Sequence, residues 1–156
     1  MRPLDIGLNV GIIHIASKLF PCGFDVSDSA PSTFEELCAH LDAGNRMLAF
    51  AGGSDRTIYA DREVDWAFRA WHDWCHWRGR HNFTPVGERA VCDLQTTHLR
   101  ILFGSCAAEK WGGIIRVEVI GQGQYFHYHK RFPDDQRGFV EAYLRDRDEA
   151  LRSPRW

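Results

Sequence analysis

Residues 64–80 are apolar or aromatic over most of a helical wheel. With His72 at the origin, Asp65, Arg69 and His76 fall within about 60° of it on an ideal helix. Val64, Trp66, Ala67, Phe68, Ala70, Trp71, Trp74, Cys75 and Trp77 cover most of the remaining circumference. A helix this apolar is surrounded by other elements, so its narrow polar stripe is either a solvent window or the wall of a pocket. Asp61 is the expected N-cap, with Glu63 in the first turn. The end is expected between Gly79 and Asn82.

Downstream, Thr84 and Pro85 suit a cap and a first helical position, and predict a helix over 86–103. Its buried stripe would be Val91, Cys92, Leu99 and Leu102, with Glu88 and Gln95 on the same face. Residues 107–131 carry two patterns. Over 114–120 the β-branched alternation suits a strand. The longer seam of Trp111, Ile115, Glu118, Gln122, Tyr125 and His129 suits a helix, which is the favoured reading. Phe132-Pro133-Asp134-Asp135 opens a last helix with Phe139, Val140, Tyr143 and Leu144 inward, stopped by Pro154.

The first 60 residues are less regular. The apolar run 11–20 could be strand or helix, with His14 as a packed structural histidine. Ser32 and Glu35 have capping-box spacing for a helix to about Leu41. Residues 47–51 read as a strand closed by Gly52-Gly53-Ser54-Asp55, and 57–59 as a second, so a hairpin is one option. The turn lacks the GKS/T ending of a phosphate loop. The expected fold is mainly α: a four-helix bundle-like core over about 62–152, with a small N-terminal α/β or hairpin segment. One domain is expected over 1–156, residues 1–60 packing on the 61–152 helical core.

Composition adds exclusions. A chain of 156 residues with 44% hydrophobic content, six Trp and ten Phe can build a real core. Its net charge of −2 gives no argument for nucleic-acid or membrane binding. Arg145, Arg147, Arg152 and Arg155 alternate with Asp146, Asp148 and Glu149, as on a solvated helix face. No leader or membrane span is expected. Five cysteines without a CxxC pair are expected to be reduced thiols in a cytoplasmic protein.

The chemistry lies on the inward stripes. The first helix offers His72, His76 and Arg69; the second, Glu88 and Gln95; the third, Glu118 and Gln122. Inward His and Glu from facing helices are how bundles build metal sites. The expected ligands of a divalent metal (Zn, Fe or Mn) are His72, His76 and Glu88, with Glu118 as a further ligand or a catalytic group. Asp73 is a candidate catalytic base and Arg69 a partner for a carboxylate or an anionic substrate. Gln95 and Gln122 would orient these groups. Such a site would be a water-poor pocket lined with Trp. The competing interpretation is a structural network in which the histidines pair with Glu88 and Glu118.

His72-Asp73-Trp74-Cys75-His76 is one residue from the HExxH of zinc proteases, but His81 falls one position early for a third ligand and no methionine follows. The His72-Asp73 doublet is also shared with HD-domain phosphohydrolases, whose other ligands would have to be His40 and Asp93 without a supporting pattern.

Residues 47–144 resemble a family of uncharacterised proteins of bacteriophages and their hosts. The pattern is R-x-x-H-D-x-x-H, then F-x-x-x-G-E and a Gln. Here it comprises Arg69, His72, Asp73, His76, Phe83, Gly87, Glu88 and Gln95, followed by Glu118, Gly121-Gln122, Tyr125 and Phe132-Pro133-Asp134-Asp135-Gln136. The resemblance implies a helical 107–131 and a phage setting, and carries no activity. The combined expectation is a metal-dependent hydrolase acting on a nucleotide or phosphoester in the cytoplasm of a bacterial host. The alternative is a non-enzymatic accessory or anti-defence protein that binds a host protein.

Overall fold

The computed structural model describes residues 2–53 and 55–156. It is mainly helical, with a two-stranded sheet near the N-terminus. Helix α1 (Ile6–Leu19) is capped by Asp5, whose side chain accepts from the Leu8 amide. Strand β1 (Asp25–Ser27), helix α2 (Phe34–Asp42) and strand β2 (Leu48–Phe50) follow. The strands pair in parallel, Asp25 opposite Leu48 and Ser27 opposite Phe50. Parallel strands need a crossover, which α2 supplies.

This replaces the hairpin. Residues 57–59 do not pair as a strand; the Ile58 carbonyl accepts from the Leu4 amide and the Tyr59 carbonyl from the Asn9 side chain. Their backbone is satisfied by the N-terminal arm and α1, while both side chains enter the core. The α2 capping box is formed by Thr33 and Glu36, one residue beyond the expected pair. Ser54 of the expected turn lies outside the described residues. The 11–20 run is helical, and His14 is exposed against the edge of Phe103 instead of packed inside.

Helix α3 (Arg62–Gly79) is the hub and packs against α1, α2, β2 and α4 (Pro85–Phe103). Asp61 and Thr84 cap α3 and α4 as expected. Gly104, at φ +86°, turns the chain back into α5 (Ser105–Arg116), which packs along α4. The helix then widens into a π-helical turn, Val117–Gly121, and continues as α6 (Gln122–His129). The 114–120 run is therefore helical. Its seam is buried at Ile115, Glu118, Gln122 and Tyr125.

The final helix is broken in two: α7 (Gln136–Arg145) and α8 (Arg147–Arg152). Asp146 is extended and caps α8 through its side chain, which interrupts the helical path. Leu102 and Leu144 are exposed, contrary to expectation; each lies in the closing turn of its helix, beyond the packed stripe. No helix of the described residues is long and apolar enough to cross a membrane. All five cysteines are free thiols.

Candidate metal centre

The site is assembled at the end of α3 and the start of α4. Residues four apart on a helix stack on one face, so α3 presents His72 and His76 together. Arg80, at φ +53°, ends α3 in the left-handed region, and the His81 amide bonds back to the His76 carbonyl. That conformation is costly for a residue with a Cβ. The Arg80 ion pair with Asp42, at 2.9 Å, offsets part of the cost. The turn aims the His81 carbonyl at the His76 ring, and His76 Nδ1 donates to it at 2.7 Å.

Thr84 then caps α4 by accepting from the Gly87 amide. Gly87 passes so close to the Asn82 carbonyl that a Cβ there would lie 1.9 Å from the oxygen. This close approach puts Glu88, in the first turn of α4, opposite the histidines. A carboxylate is favoured there by the helix dipole.

The three side chains meet at one point. Glu88 Oε2 lies 3.1 Å from His72 Nε2 and 3.3 Å from His76 Nε2. The two Nε2 atoms are 3.0 Å apart. A metal bound at about 2.1 Å from each ligand atom sets ligands about 3.0–3.4 Å apart. Among the described residues, His72, His76 and Glu88 are the group close enough to hold a metal ion.

Proton accounting explains the convergence. His76 Nδ1 faces a carbonyl, an acceptor only, so it carries the proton. His72 Nδ1 faces the Gln95 side-chain oxygen at 3.3 Å and donates to it in the same way. In the neutral rings both Nε2 atoms are then bare lone pairs, and both face an anionic oxygen. A cation can satisfy all three contacts at once. One proton cannot, because a single N–H points in one direction.

The electrostatics agree. Burial disfavours a charged His72, but the Glu88 hydrogen bond and charge, helped by Asp73, outweigh it and raise its pKa above 6.5. Burial also opposes the Glu88 charge, yet the two histidines hold that carboxyl down to about 2. Asp73 goes the other way: burial pushes it up to about 6 against the pull of His72 and His76. His76 is fully buried, whereas the Glu88 side chain is 27% exposed and the His72 side chain 16%, so approach is from their side. Phe83 stands edge-on to His76 and Phe68 stacks on His72. The walls are therefore phenylalanine, not tryptophan. Trp71 donates its indole proton to His98, and Trp74 also packs against His98.

The other predicted residues separate into two places. Gln95 belongs with the histidines. Arg69 pairs with Asp65 at 3.0 Å and donates to the Phe50 and Gly52 carbonyls. Glu118 is not one of the converging ligand atoms; it lies in a second buried cluster with Asp65, Arg69 and Gln122. His40 bonds the Arg46 carbonyl and Asp93 pairs with Arg116, so neither joins His72-Asp73.

Sequence reasoning missed the His81 carbonyl at the site, and also the burial of the Thr57 and Tyr59 side chains. A backbone carbonyl has no residue signature. Thr57 and Tyr59 read as an alternating strand, which pointed to pairing instead of to side chains entering the core. No family model matches the chain, and no curated protein or solved structure resembles it closely enough to count as a match.

Proposed function

We propose that this protein is a metal-dependent hydrolase whose divalent ion (Zn, Fe or Mn) is held by His72, His76 and Glu88, with a nucleotide or phosphoester as substrate. The observation that carries the reading is the meeting of two imidazole Nε2 atoms and one carboxylate oxygen, 3.0–3.3 Å from one another. Three protein ligands leave coordination positions for water and substrate, the pattern of catalytic sites. What such an ion supplies is Lewis acidity and activation of water. The chain contributes Asp73 as the neighbouring base, and Phe68 and Phe83 as apolar rings against the two imidazoles. Because Arg69 is committed to Asp65, neutralisation of a phosphoester falls to the ion.

The motif Arg69-x-x-His72-Asp73-x-x-His76 supports a bacteriophage setting, and with it the cytoplasm of a bacterial host, as part of this proposal.

The test is metal analysis of protein purified without a His-tag, followed by hydrolysis assays on nucleoside triphosphates and bis(p-nitrophenyl) phosphate. About one metal per chain is expected, lost in His72→Ala and Glu88→Ala, with Asp73→Asn keeping the metal and losing turnover. A metal-free protein whose His72→Ala variant merely unfolds would sink the proposal.

One observation favours the second reading, an accessory protein that binds a host protein. Ile6, Val10 and Ile13 form an exposed apolar stripe on α1, the spacing used by helices that dock on partners. Val10→Asp should then abolish capture of that partner and leave the metal content unchanged.

A further inference from the structure

We infer that Asp42, which ends α2 and is no ligand itself, is a positioning residue for the metal centre. Acting through Arg80, it holds the turn whose His81 carbonyl orients the His76 ring. Asp42 Oδ1 accepts from the Trp77 indole at 2.8 Å and from Arg80 at 2.9 Å, and Oδ2 accepts from the other Arg80 amino group at 3.1 Å. The guanidinium also lies over the Trp77 ring, 6.0 Å from its centre. An exposed ion pair held by one contact contributes little, but a two-pronged pair of arginine and carboxylate fixes geometry. Here the Trp77 indole fixes the carboxylate as well.

Arg80 needs such a hold. Where a helix ends in a left-handed residue, that residue is usually glycine. Arg80 takes the place with a Cβ, at φ +53° and ψ +39°, a conformation unfavourable for most residues other than glycine. Gly79 comes one position early for that role. It makes room instead for the His81 ring, which would lie 2.6 Å from a Cβ at residue 79. With Arg80 left-handed, the His81 amide bonds to the His76 carbonyl at 3.0 Å, and the His81 carbonyl accepts from His76 Nδ1 at 2.7 Å.

Every step from Asp42 to the ligand is thus a direct contact or a shared backbone. The His76 side chain is fully buried, so its ring has no water at hand to replace the carbonyl. If Arg80 left the left-handed region, the His81 carbonyl would swing away from Nδ1. The ring would then lose the partner that aims Nε2 at Glu88 Oε2, 3.3 Å away. Partners that orient a metal-binding imidazole matter for metal affinity. That last step rests on the metal-dependent reading of the site; the hold on His76 does not. A plain tie between α2 and α3 is the simpler role for Asp42, and it makes a different demand on residue 80. A tie needs the Arg80 side chain. Positioning needs only the left-handed turn, which glycine adopts unaided.

The test uses the full chain and two readouts. Exchange of the His76 Nδ1 proton with water is followed by NMR on metal-free protein carrying isotope-labelled histidine. Zn²⁺ affinity is measured by competition with a chelator. In wild type the proton should exchange slowly. Asp42→Ala should speed that exchange and weaken Zn²⁺ binding about tenfold. Arg80→Ala should do the same. Arg80→Gly loses the same ion pair but should keep both readouts close to wild type, and adding Asp42→Ala to it should change neither. Equal losses in Arg80→Ala and Arg80→Gly would overturn the assignment and leave Asp42 a tie between helices. Wild-type values in Asp42→Ala would overturn it too. The comparison at residue 80 leaves α2 unaltered, so it decides even where Asp42→Ala folds poorly. A wild type without Zn²⁺ affinity would end the metal reading alone, and the proton readout would still decide the role of Asp42.

Discussion

His72 and His76 meet through their Nε2 atoms, 3.0 Å apart, and both face the same oxygen of Glu88. Two imidazoles in this arrangement share either a proton or a metal. Which one they hold depends on pH.

The proton on His72 is the competitor. Its pKa is raised above 6.5 in the metal-free protein, while Glu88 is held down to about 2 and stays ionised. Metal affinity should therefore rise with pH, by up to about tenfold per unit, and level off once His72 has lost its proton. Without metal, the sign for stability is the reverse. The raised His72 pKa stabilises the fold fully below its unfolded value of 6.5, and this is lost as pH rises through the folded value. Calorimetric titration with Zn²⁺ from acid to mildly alkaline pH checks the first point. A flat affinity profile would exclude a titrating ligand.

Gln95 fixes the His72 tautomer through its side-chain oxygen. Gln95→Leu keeps the volume and removes that acceptor. Loss of such an orienting partner costs about 10–100-fold in metal affinity. Stability should change little, because the unpartnered nitrogen goes as well. Gln95→Glu, which retains an acceptor, should recover part of the affinity. Competition against a zinc chelator measures both variants.

Gly87→Ala places a Cβ 1.9 Å from the Asn82 carbonyl oxygen. Backbone must move, and the first turn of α4 carries Glu88 with it. A destabilisation of about 1–3 kcal/mol is expected, as for other overpacked sites. Metal affinity should fall as well, although no ligand is altered. Chemical denaturation and metal titration on the same sample separate the two effects. Wild-type values in both would show that the close approach is not needed.

Glu118 holds its proton to about pH 8, against 4.5 for the free side chain. Between those values the folded protein binds more protons than the unfolded chain, so stability falls as pH rises. The loss can reach about 1.4 kcal/mol per pH unit and ends above the folded pKa. Glu118→Gln removes the group and should flatten the profile. Urea unfolding at pH 5 and pH 8 distinguishes them: the variant should gain on wild type at the higher pH. Parallel profiles would place Glu118 in contact with water or a permanent partner.

Much of this was legible in the residues alone. The apolar circumference of α3, the caps at Asp61 and Thr84, and the inward stripes of α3 and α4 follow from helical periodicity, a local property of the chain. They place His72, His76, Glu88 and Gln95 on facing inward stripes from the sequence alone. The 107–131 seam was read by the same rule, although the π-helical turn within it was not. An extra residue per turn depends on what the helix packs against.

What only the tertiary structure decided concerns partners distant in sequence. Thr57 and Tyr59 alternate like a strand, and only packing shows both side chains buried, Tyr59 against Phe68 of α3, with the Tyr59 carbonyl bonded to Asn9 of α1. The parallel β1–β2 pair joins residues more than twenty positions apart, beyond any local pattern. Glu118 and Glu88 looked equivalent, since each is an inward carboxylate on a helix. The structure sends Glu88 to the histidines and Glu118 to Asp65 and Arg69. Periodicity states which face of a helix is buried. Which groups meet there depends on how the helices are offset along their axes, and that offset is set by the packing of the whole core.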